Sequence, residues 1–229
     1  MVVISIIIPV LNEAEGIEFL LQKLQVHRNV GHEIIVVDGG SQDQTISRSR
    51  TYADHVIQTE KGRGLQMNKG AAIARGEILL FLHADTQLPS IELCLLSQEL
   101  NASKKNWGRF DVKLSENRII FKMIASLMNL RSRFSSIATG DQAIFVRKKF
   151  FMRLNGFADI VLMEDIEFCK RAKRLSKPLC LKVKVTTSSR RWQQTGVWRT
   201  IILMWQLRFA YYFGVQPETL KQYYRTHVR

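Results

Sequence analysis

Short runs of branched apolar residues, each followed by a helical segment, dominate the first hundred residues. The runs VVISIII, EIIVV and EILLFL are apolar at nearly every position, which is typical of strands covered on both faces. HVIQ is a shorter strand candidate, and QMNKGAAIARG predicts a helix that ends at Gly76. The order β-α-β-α-β-α-β predicts an α/β fold with a mostly parallel sheet and right-handed crossovers.

Polar residues predict where helices begin in this half. Asn12 with Glu15, and Ser41 with Gln44, have the spacing of capping boxes. Pro89 is expected to open a further helix, because proline favours the first helical turn.

The pattern changes after residue 103. WGRFDVKL alternates like an exposed or mixed strand, residues 117–131 predict an amphipathic helix, and DQAIFVRK and PLCLKVKV predict strands. MEDIEFCKRAKRL predicts a helix with a basic outer face, and two C-terminal helices are interrupted near Gly214 and Pro217. With no internal repeat and no Gly/Ser linker, residues 1–229 are expected to form a single domain.

Positive charge is concentrated in the second part of the chain. Residues 1–100 carry 8 Lys/Arg and 12 Asp/Glu, whereas residues 101–229 carry 26 Lys/Arg and 8 Asp/Glu. This asymmetry indicates an anionic partner, such as nucleic acid, a phosphorylated substrate or lipid headgroups, or else a solubilising surface. The three cysteines form no close pair, which is typical of thiols in a reducing, cytoplasmic compartment.

Polar residues end three of the predicted strands, in PVLNE, DGGSQD and HAD. Ligands of open parallel sheets bind beyond the carboxyl ends of the strands, so Asp38 and Asp85 are expected to converge on one crevice. Helix caps and turns explain most of these residues, but they explain poorly why carboxylates end three separate strands. Converging carboxylates are more consistent with a cation or a donor-rich ligand. Neither G-x-G-x-x-G nor a Walker A loop is present, which argues against a bound dinucleotide.

Five segments together resemble family 2 inverting glycosyltransferases with the GT-A fold. IIIPVLNEAEGI, IIVVDGGSQDQT and KGRGLQMNKGAAIARGEILLFLHADT resemble the nucleotide-sugar-binding half, and TGDQAIFVRKKFFMRLNGF and LMEDIEFCKRAKR resemble the acceptor half. SSRRWQQTGVWRT resembles the rSAM/selenodomain-associated transferase subgroup. The resemblance implies a donor half at residues 1–100, an acceptor half at 101–190 and amphipathic C-terminal helices at 191–229.

The resemblance also implies a donor site, in which Asp38 accepts a hydrogen bond from the uracil ring. The implied donor-binding residues are Pro9, Asn12, Glu13, Asp38, Gly40, Arg63, Gly64, Asn68, Ala84 and Arg191. Asp85 matches the last residue of the family's Asp-x-Asp motif, so it is the implied ligand for Mn²⁺ or Mg²⁺. His83 stands at the first Asp position, where packing or hydrogen bonding is favoured over ligation.

On the acceptor side, the resemblance makes Glu164 and Asp165 the catalytic pair, with Asp165 as the base that takes the acceptor proton. Without the resemblance, the preferred explanation is that the two acids only complement the dipole of the helix they begin. Asp141, Gln142 and Trp192 are the implied acceptor residues.

The segment from Val197 to Val215 is rich in aromatic residues but contains Arg199 and Arg208, so it is not expected to span a membrane. It fits a core helix and a helix in a membrane interface equally well.

The leading hypothesis is a metal-dependent transferase that moves a sugar from a nucleotide donor, with UDP favoured, to a hydroxyl or carboxyl of a lipid-borne or small-molecule acceptor. It is expected to be cytoplasmic and to contact the anionic inner face of the cell membrane, with no nucleic acid as partner. A sugar nucleotidyltransferase is disfavoured, because LNEAEG is acidic where that class needs a basic glycine-rich loop. The alternative is a nucleic-acid- or anionic-surface-binding protein on a catalytically degenerate transferase fold.

Overall fold

The fold is an α/β structure built on one eight-stranded sheet. A computed structural model describes residues 2–89, 93 and 95–227, without the side chains of residues 191, 194, 225 and 227. The strands are β1 Ile4–Val10, β2 Glu33–Asp38, β3 His55–Gln58, β4 Ile78–Phe81, β5 Thr86–Gln87, β6 Trp107–Leu114, β7 Ile144–Arg147 and β8 Leu179–Thr187. The helices are α1 Ile17–Arg28, α2 Thr45–Arg50, α3 Arg63–Ile73, α4 Leu95–Ala102, α5 Ile119–Ser135, α6 Lys148–Arg153, α7 Glu164–Leu175, α8 Arg190–Thr195, α9 Val197–Tyr212 and α10 Pro217–His227.

The sheet joins a parallel half to a mixed half. Its strand order is β3-β2-β1-β4-β7-β6-β8-β5. The pairs β2–β3, β1–β2 and β1–β4 are parallel, which confirms the parallel sheet predicted from the alternation of strands and helices. β7 is antiparallel to both β4 and β6, and β5 is antiparallel to β8, whereas β6 and β8 are parallel to each other. β6 and β8 therefore run in the same direction as β1 to β4, and β7 and β5 are the reversed strands. Because β1, β2 and β4 are parallel, the loops that follow them lie at the same edge of the sheet.

The central strands are covered on both faces, as their apolar runs predict. Ile6 and Ile8 of β1 pack with α1 residues on one face, whereas Ile7 packs with Met67 and Ala71 of α3 on the other. Complete burial of both sets explains why these strands show no alternation of apolar and polar residues.

The predicted capping boxes were wrong. α1 begins at Ile17 after Gly16, and α2 begins at Thr45 after Gln44, with no side-chain cap at either helix. Asn12 instead has a left-handed backbone, with φ of 54°. Its Oδ1 accepts from the amide of Gln42 at 2.9 Å, and its own amide donates to Ser41 Oγ at 2.8 Å. These side chains link two strand-end loops, so their partners are distant in sequence.

Gly76 does not end α3, which stops at Ile73. A Cβ at Gly76 would lie 2.6 Å from the amide nitrogen of Ser5, so the residue allows close approach to β1. The helix expected at Pro89 falls partly outside the described residues; the helix described there, α4, begins at Leu95.

β6 was predicted to be exposed or mixed, but it is almost wholly buried. It lies between β7 and β8, and Arg109 pairs with Asp111, which also accepts from Arg133 Nη2 at 2.6 Å. Nε of Arg109 is buried without a hydrogen-bond partner among the described residues. The alternation of apolar and polar residues in WGRFDVKL therefore reflects a buried ion pair between Arg109 and Asp111.

Among the described residues, no helix is both long enough and apolar enough to cross a membrane. Cys169 and Cys180 are free thiols, and Cys94 lies outside the described part of the chain.

Gly108→Ala is expected to destabilise the protein by about 2–3 kcal/mol, because the added Cβ would overlap the carbonyl oxygen of Leu179 and the ring of Phe145. Urea unfolding monitored by circular dichroism measures this change. Gly16→Ala is the control, since a Cβ there meets nothing within 4 Å. Equal stability of the two variants would contradict the packing described for β6.

Candidate active site

A polar cleft lies at the carboxyl ends of β1 and β4, where the first turns of α3 and α7 meet. Its volume is about 260 Å³. The lining residues are Pro9, Val10, Leu11, Glu13, Lys61, Gly62, Arg63, Gln66, His83, Ala84, Asp85, Val161, Leu162, Glu164 and Lys221. Residues from both halves of the chain therefore form one cleft. They include Lys221 of α10, which no sequence pattern singled out.

Gln66 forms part of the cleft by joining two strands. Its Nε2 donates to the carbonyl oxygens of Val10 and Val37, each at 2.8 Å, so the ends of β1 and β2 are fixed to α3. The sequence analysis did not identify Gln66, because it resembles any other polar residue within a helix.

Two predicted donor residues hold the neighbouring loop and do not line the cleft. Asn68 donates to the carbonyl of Phe157 and accepts from its amide, at 2.8 and 2.9 Å. Gly64 packs so closely that a Cβ would lie 2.7 Å from the carbonyl oxygen of Ala158. Both residues position the segment that carries Val161 and Leu162 into the cleft.

Asp38 is fully buried at the end of β2 and is not a lining residue. Its Oδ2 accepts from the amides of Gly40 and Ser41, each at 2.9 Å, and Gly40 adopts a φ of 91°. Its Oδ1 is buried without a hydrogen-bond partner in the described part of the chain. This acceptor is therefore available to a ligand N–H, but only if the loop exposes it.

His83, Asp85 and Asp141 form a cluster whose candidate ligand atoms all lie within 4.8 Å of one another. His83 Nδ1 is 3.4 Å from Asp141 Oδ1, and a Cβ on Gly140 would overlap the imidazole. Asp141 was predicted on the acceptor side, but its carboxylate also lies within 4.8 Å of the Asp85 carboxylate. One imidazole and two carboxylates form a donor set that suits Mn²⁺, and carboxylates also suit Mg²⁺, so these residues fit a divalent cation.

Glu164 and Asp165 begin α7, directly after Met163, whose φ is 71°. Glu164 is buried and pairs with Arg63 Nη1 at 3.2 Å. Burial raises the pKa of Glu164, and Asp165 raises it further, while Arg63 opposes both effects. Arg63 therefore has a fixed partner at the rim of the cleft.

Asp165 is held by backbone amides. Its Oδ2 accepts from Gly140 at 2.9 Å, and its Oδ1 accepts from Ile166 at 2.7 Å. A carboxylate offers about four acceptor sites, so Asp165 retains capacity for a further donor. The Gly140 bond places it next to the His83–Asp85–Asp141 cluster.

An apolar groove of about 360 Å³ lies between α5 and α9. Its lining residues are Asp85, Leu114, Ile124, Leu127, Met128, Leu130, Arg131, Phe134, Asp141, Thr187, Ser188, Trp192, Thr200, Ile201, Met204, Trp205 and Arg208. Asp85 lines both the groove and the polar cleft, so the two cavities meet at the acidic cluster.

The remaining predicted residues separate into three cases. Trp192 lines the groove. Gln142 is fully buried and donates to Ser132 Oγ at 3.1 Å, so it supports the turn that carries Asp141. Arg191 belongs to α8, and its side chain lies outside the described part of the structure.

The sequence analysis missed Arg131 and Arg208. Burial, together with repulsion from Arg208, lowers the pKa of Arg131 to about 10. Burial also lowers the pKa of Arg208, against the attraction of Asp165 and Asp141. The signal that could have found them is a single arginine within an otherwise apolar helical stripe.

The family model described as Glycosyl transferase family 2 matches residues 5–159 of this chain. The protein therefore belongs to glycosyl transferase family 2. The chain is also 35% identical over 91 residues to the PGL/p-HBAD biosynthesis glycosyltransferase of Mycobacterium bovis (strain BCG / Pasteur 1173P2). The matched segment covers 37% of this chain and 36% of that relative. It thus matches little more than a third of that relative's length.

Two solved structures show the same fold. The mannosyltransferase PcManGT from Pyrobaculum calidifontis, in complex with GDP-Man and Mn²⁺, aligns with a TM-score of 0.68 and 20% identity, over 94% of this chain and 66% of that one. S. aureus TarS 1-349 in complex with UDP aligns with a TM-score of 0.66 and 21% identity, over 81% of this chain and 60% of that one. The GT-A fold expected from the sequence is confirmed.

Glu164→Gln is expected to become more stable relative to the native chain as the pH rises from 4.5. A raised native pKa means that the folded state keeps the proton after the unfolded state has lost it, so native stability falls with rising pH across this window. Within that window the free energy of unfolding of the native chain falls by about 1.4 kcal/mol for each pH unit. Glutamine does not titrate, so the variant lacks this dependence. Urea unfolding in EDTA between pH 4 and 8 measures the difference.

Glu99→Gln, at an exposed carboxylate on α4, is the control for this experiment. A difference between Glu164→Gln and the native chain that stays constant with pH would contradict the raised pKa.

Proposed function

We propose that this protein is a metal-assisted, inverting glycosyltransferase that moves a sugar from a nucleotide-diphospho donor, UDP-linked, to a hydroxyl or carboxyl group of a lipid-borne acceptor. The observation that carries the proposal is the meeting of the polar cleft and the apolar groove at Asp85. An anionic donor and an apolar acceptor then approach one acidic cluster from two sides.

The donor occupies the polar cleft in this proposal. Lys61, Arg63 and Lys221 line it and complement a diphosphate. Once the loop exposes it, the unpaired Oδ1 of Asp38 would accept from a ring N–H of the base, such as that of uracil in UDP. Two solved structures of similar fold contain UDP and GDP-Man, which supports a nucleotide as the ligand of the polar cleft.

Asp85, Asp141 and His83 would hold Mn²⁺ or Mg²⁺. Such an ion supplies positive charge that stabilises the leaving diphosphate. Asp85 would be the residue shared by the donor and acceptor sides, because it lines both cavities.

Asp165 is the proposed base. As the acceptor hydroxyl oxygen bonds to the anomeric carbon, Asp165 takes its proton, the bond between sugar and phosphate breaks, and the nucleoside diphosphate leaves. The amides of Gly140 and Ile166 keep Asp165 oriented through this step. Glu164 acts as a positioning residue, since it pairs with Arg63 in the cleft.

Membrane contact is proposed from the apolar outer faces of α5 and α9, which flank the groove. The exposed apolar residues on these helices are Ile119, Met123, Leu127, Leu130, Phe134, Trp198, Ile202, Trp205, Phe209 and Tyr212. The excess of Lys and Arg in residues 101–229 complements an anionic, cytoplasmic membrane face. In this proposal residues 1–100 mainly bind the donor, residues 101–190 mainly bind the acceptor, and residues 191–229 mainly contact the membrane. The segment 188–200 supports membership of the rSAM/selenodomain-associated subgroup.

Asp85→Ala is expected to abolish metal-dependent binding of UDP-sugar, because it removes the carboxylate shared by both cavities. Asp165→Asn is expected to bind the donor normally but to lower turnover by about 10²–10⁴-fold, since only proton transfer is lost. Calorimetry with and without Mn²⁺, followed by donor hydrolysis, measures both effects. Glu99→Gln controls for the loss of a carboxylate elsewhere.

If no nucleotide sugar binds to the native chain with any metal, the proposal fails. The alternative is then a protein that binds nucleic acid or anionic surfaces on a degenerate transferase fold.

The double variant Trp198→Ala with Phe209→Ala is expected to lose most of its binding to phosphatidylglycerol vesicles. Both side chains are about two-thirds exposed on α9, and interfacial aromatic residues stabilise such contacts. Vesicle flotation measures the bound fraction. Phe19→Ala removes a ring that is 54% exposed on α1 and is expected to bind normally. Equal binding by both variants, or none by the native chain at low salt, would exclude the membrane contact.

A further inference from the structure

Two half-buried arginines line the apolar groove without a counter-ion among the described residues. Arg131 of α5 and Arg208 of α9 both line the groove. Nε and Nη2 of Arg131 are buried and have no hydrogen-bond partner in the described structure. Among the described residues, neither guanidinium is found in an ion pair or a side-chain hydrogen bond. The groove therefore contains positive charge that the rest of the chain does not balance.

This arrangement is energetically unfavourable without a ligand. A buried cation is normally paired and hydrogen-bonded, because desolvation is costly. Burial lowers the pKa of Arg131, and repulsion between the two guanidiniums adds to this effect. An anion between them would relieve both effects with charge-assisted hydrogen bonds.

The acids nearby are engaged elsewhere. Asp165 accepts from the amides of Gly140 and Ile166, and Asp141 lies 3.4 Å from His83. Both attract Arg208 over a longer distance, without the contact that an ion pair requires. The missing anion is therefore not supplied by these two carboxylates.

The groove itself is mostly apolar. Its wall includes Ile124, Met128, Ile201 and Met204, and at its mouth Leu127, Leu130, Phe134 and Trp205 are exposed. A free inorganic anion would leave this apolar surface uncovered. A ligand that carries an anionic group on an apolar chain satisfies the arginines and the wall together.

We propose that the acceptor is an amphiphile whose phosphate or carboxylate group binds Arg131 and Arg208, while its apolar chain fills the groove between α5 and α9. Calling this ligand the acceptor rests on the proposed function; the binding site itself does not. Asp85 and Asp141 also line the groove, so the head of the amphiphile lies beside the acidic cluster.

Calorimetry with octyl phosphate, octanoate, octanol and inorganic phosphate tests the proposal, with all alkyl probes kept below micelle formation. The native chain is expected to bind octyl phosphate or octanoate at least about tenfold more tightly than octanol or inorganic phosphate, since each lacks one of the two interactions. Arg131→Met and Arg208→Met are each expected to weaken this binding about tenfold or more.

Lys122→Met is the matched control, because it removes an exposed cation from the same helix as Arg131 and should leave binding unchanged. Leu127→Glu places a negative charge at the mouth of the groove, at a side chain that is 63% exposed, so folding should not suffer. The Leu127→Glu variant is expected to bind octyl phosphate and octanoate more weakly, but to bind UDP in the presence of Mn²⁺ with unchanged affinity.

Three results would overturn the proposal. Equal affinity for inorganic phosphate and octyl phosphate would indicate an anion site without a binding site for the alkyl chain. Unchanged affinity in both arginine variants would remove the anion site. A parallel loss of UDP affinity in Arg131→Met and Arg208→Met would assign the arginines to the donor diphosphate. Failure of UDP to bind the native chain, with octyl phosphate binding intact, would instead refute only the proposed function.

Discussion

Gly140 holds the two halves of the site together. Its amide donates to Asp165 at the start of α7, and its Cα packs so closely against His83, after β4, that no side chain fits there. The antiparallel pairing of β7 with β4 makes this approach possible, because it brings the turn that precedes β7 to the carboxyl end of β4. The acidic cluster, the proposed base and both cavities depend on this contact.

The site concentrates features that cost stability, and the central strands offset them. Glu164 is buried with a raised pKa, Arg131 has unpaired buried nitrogens, and Met163 and Ala143 adopt left-handed backbone conformations. By contrast, the central residues of β1, β2 and β4 are wholly buried aliphatic side chains. Strain and unsatisfied polar groups of this kind persist where function requires them and a stable core tolerates them.

The sequence predicted those features that depend on local pattern. Continuous apolar runs predicted β1, β2 and β4, because burial on both faces leaves no polar position. The caps at Asn12 and Ser41 were wrong, since each bonds to the other's loop, which no local spacing reveals. The approach of Asp141 to His83 and Asp85 depends on strand order in the mixed half, which the sequence did not determine.

α9, which begins the aromatic C-terminal segment, presents three different faces. Thr200, Leu203 and Leu207 are buried, and Leu203 and Leu207 pack with Met163, Ile166 and Leu220, so one face is core. Ile201, Met204 and Arg208 line the groove, while Trp198, Ile202 and Phe209 are exposed. A helix that is apolar on every side usually lies within a core or a membrane. Here the one arginine that interrupts the groove-facing stripe lies where a buried anion is needed, and this explains why a stripe of apolar residues includes a charge.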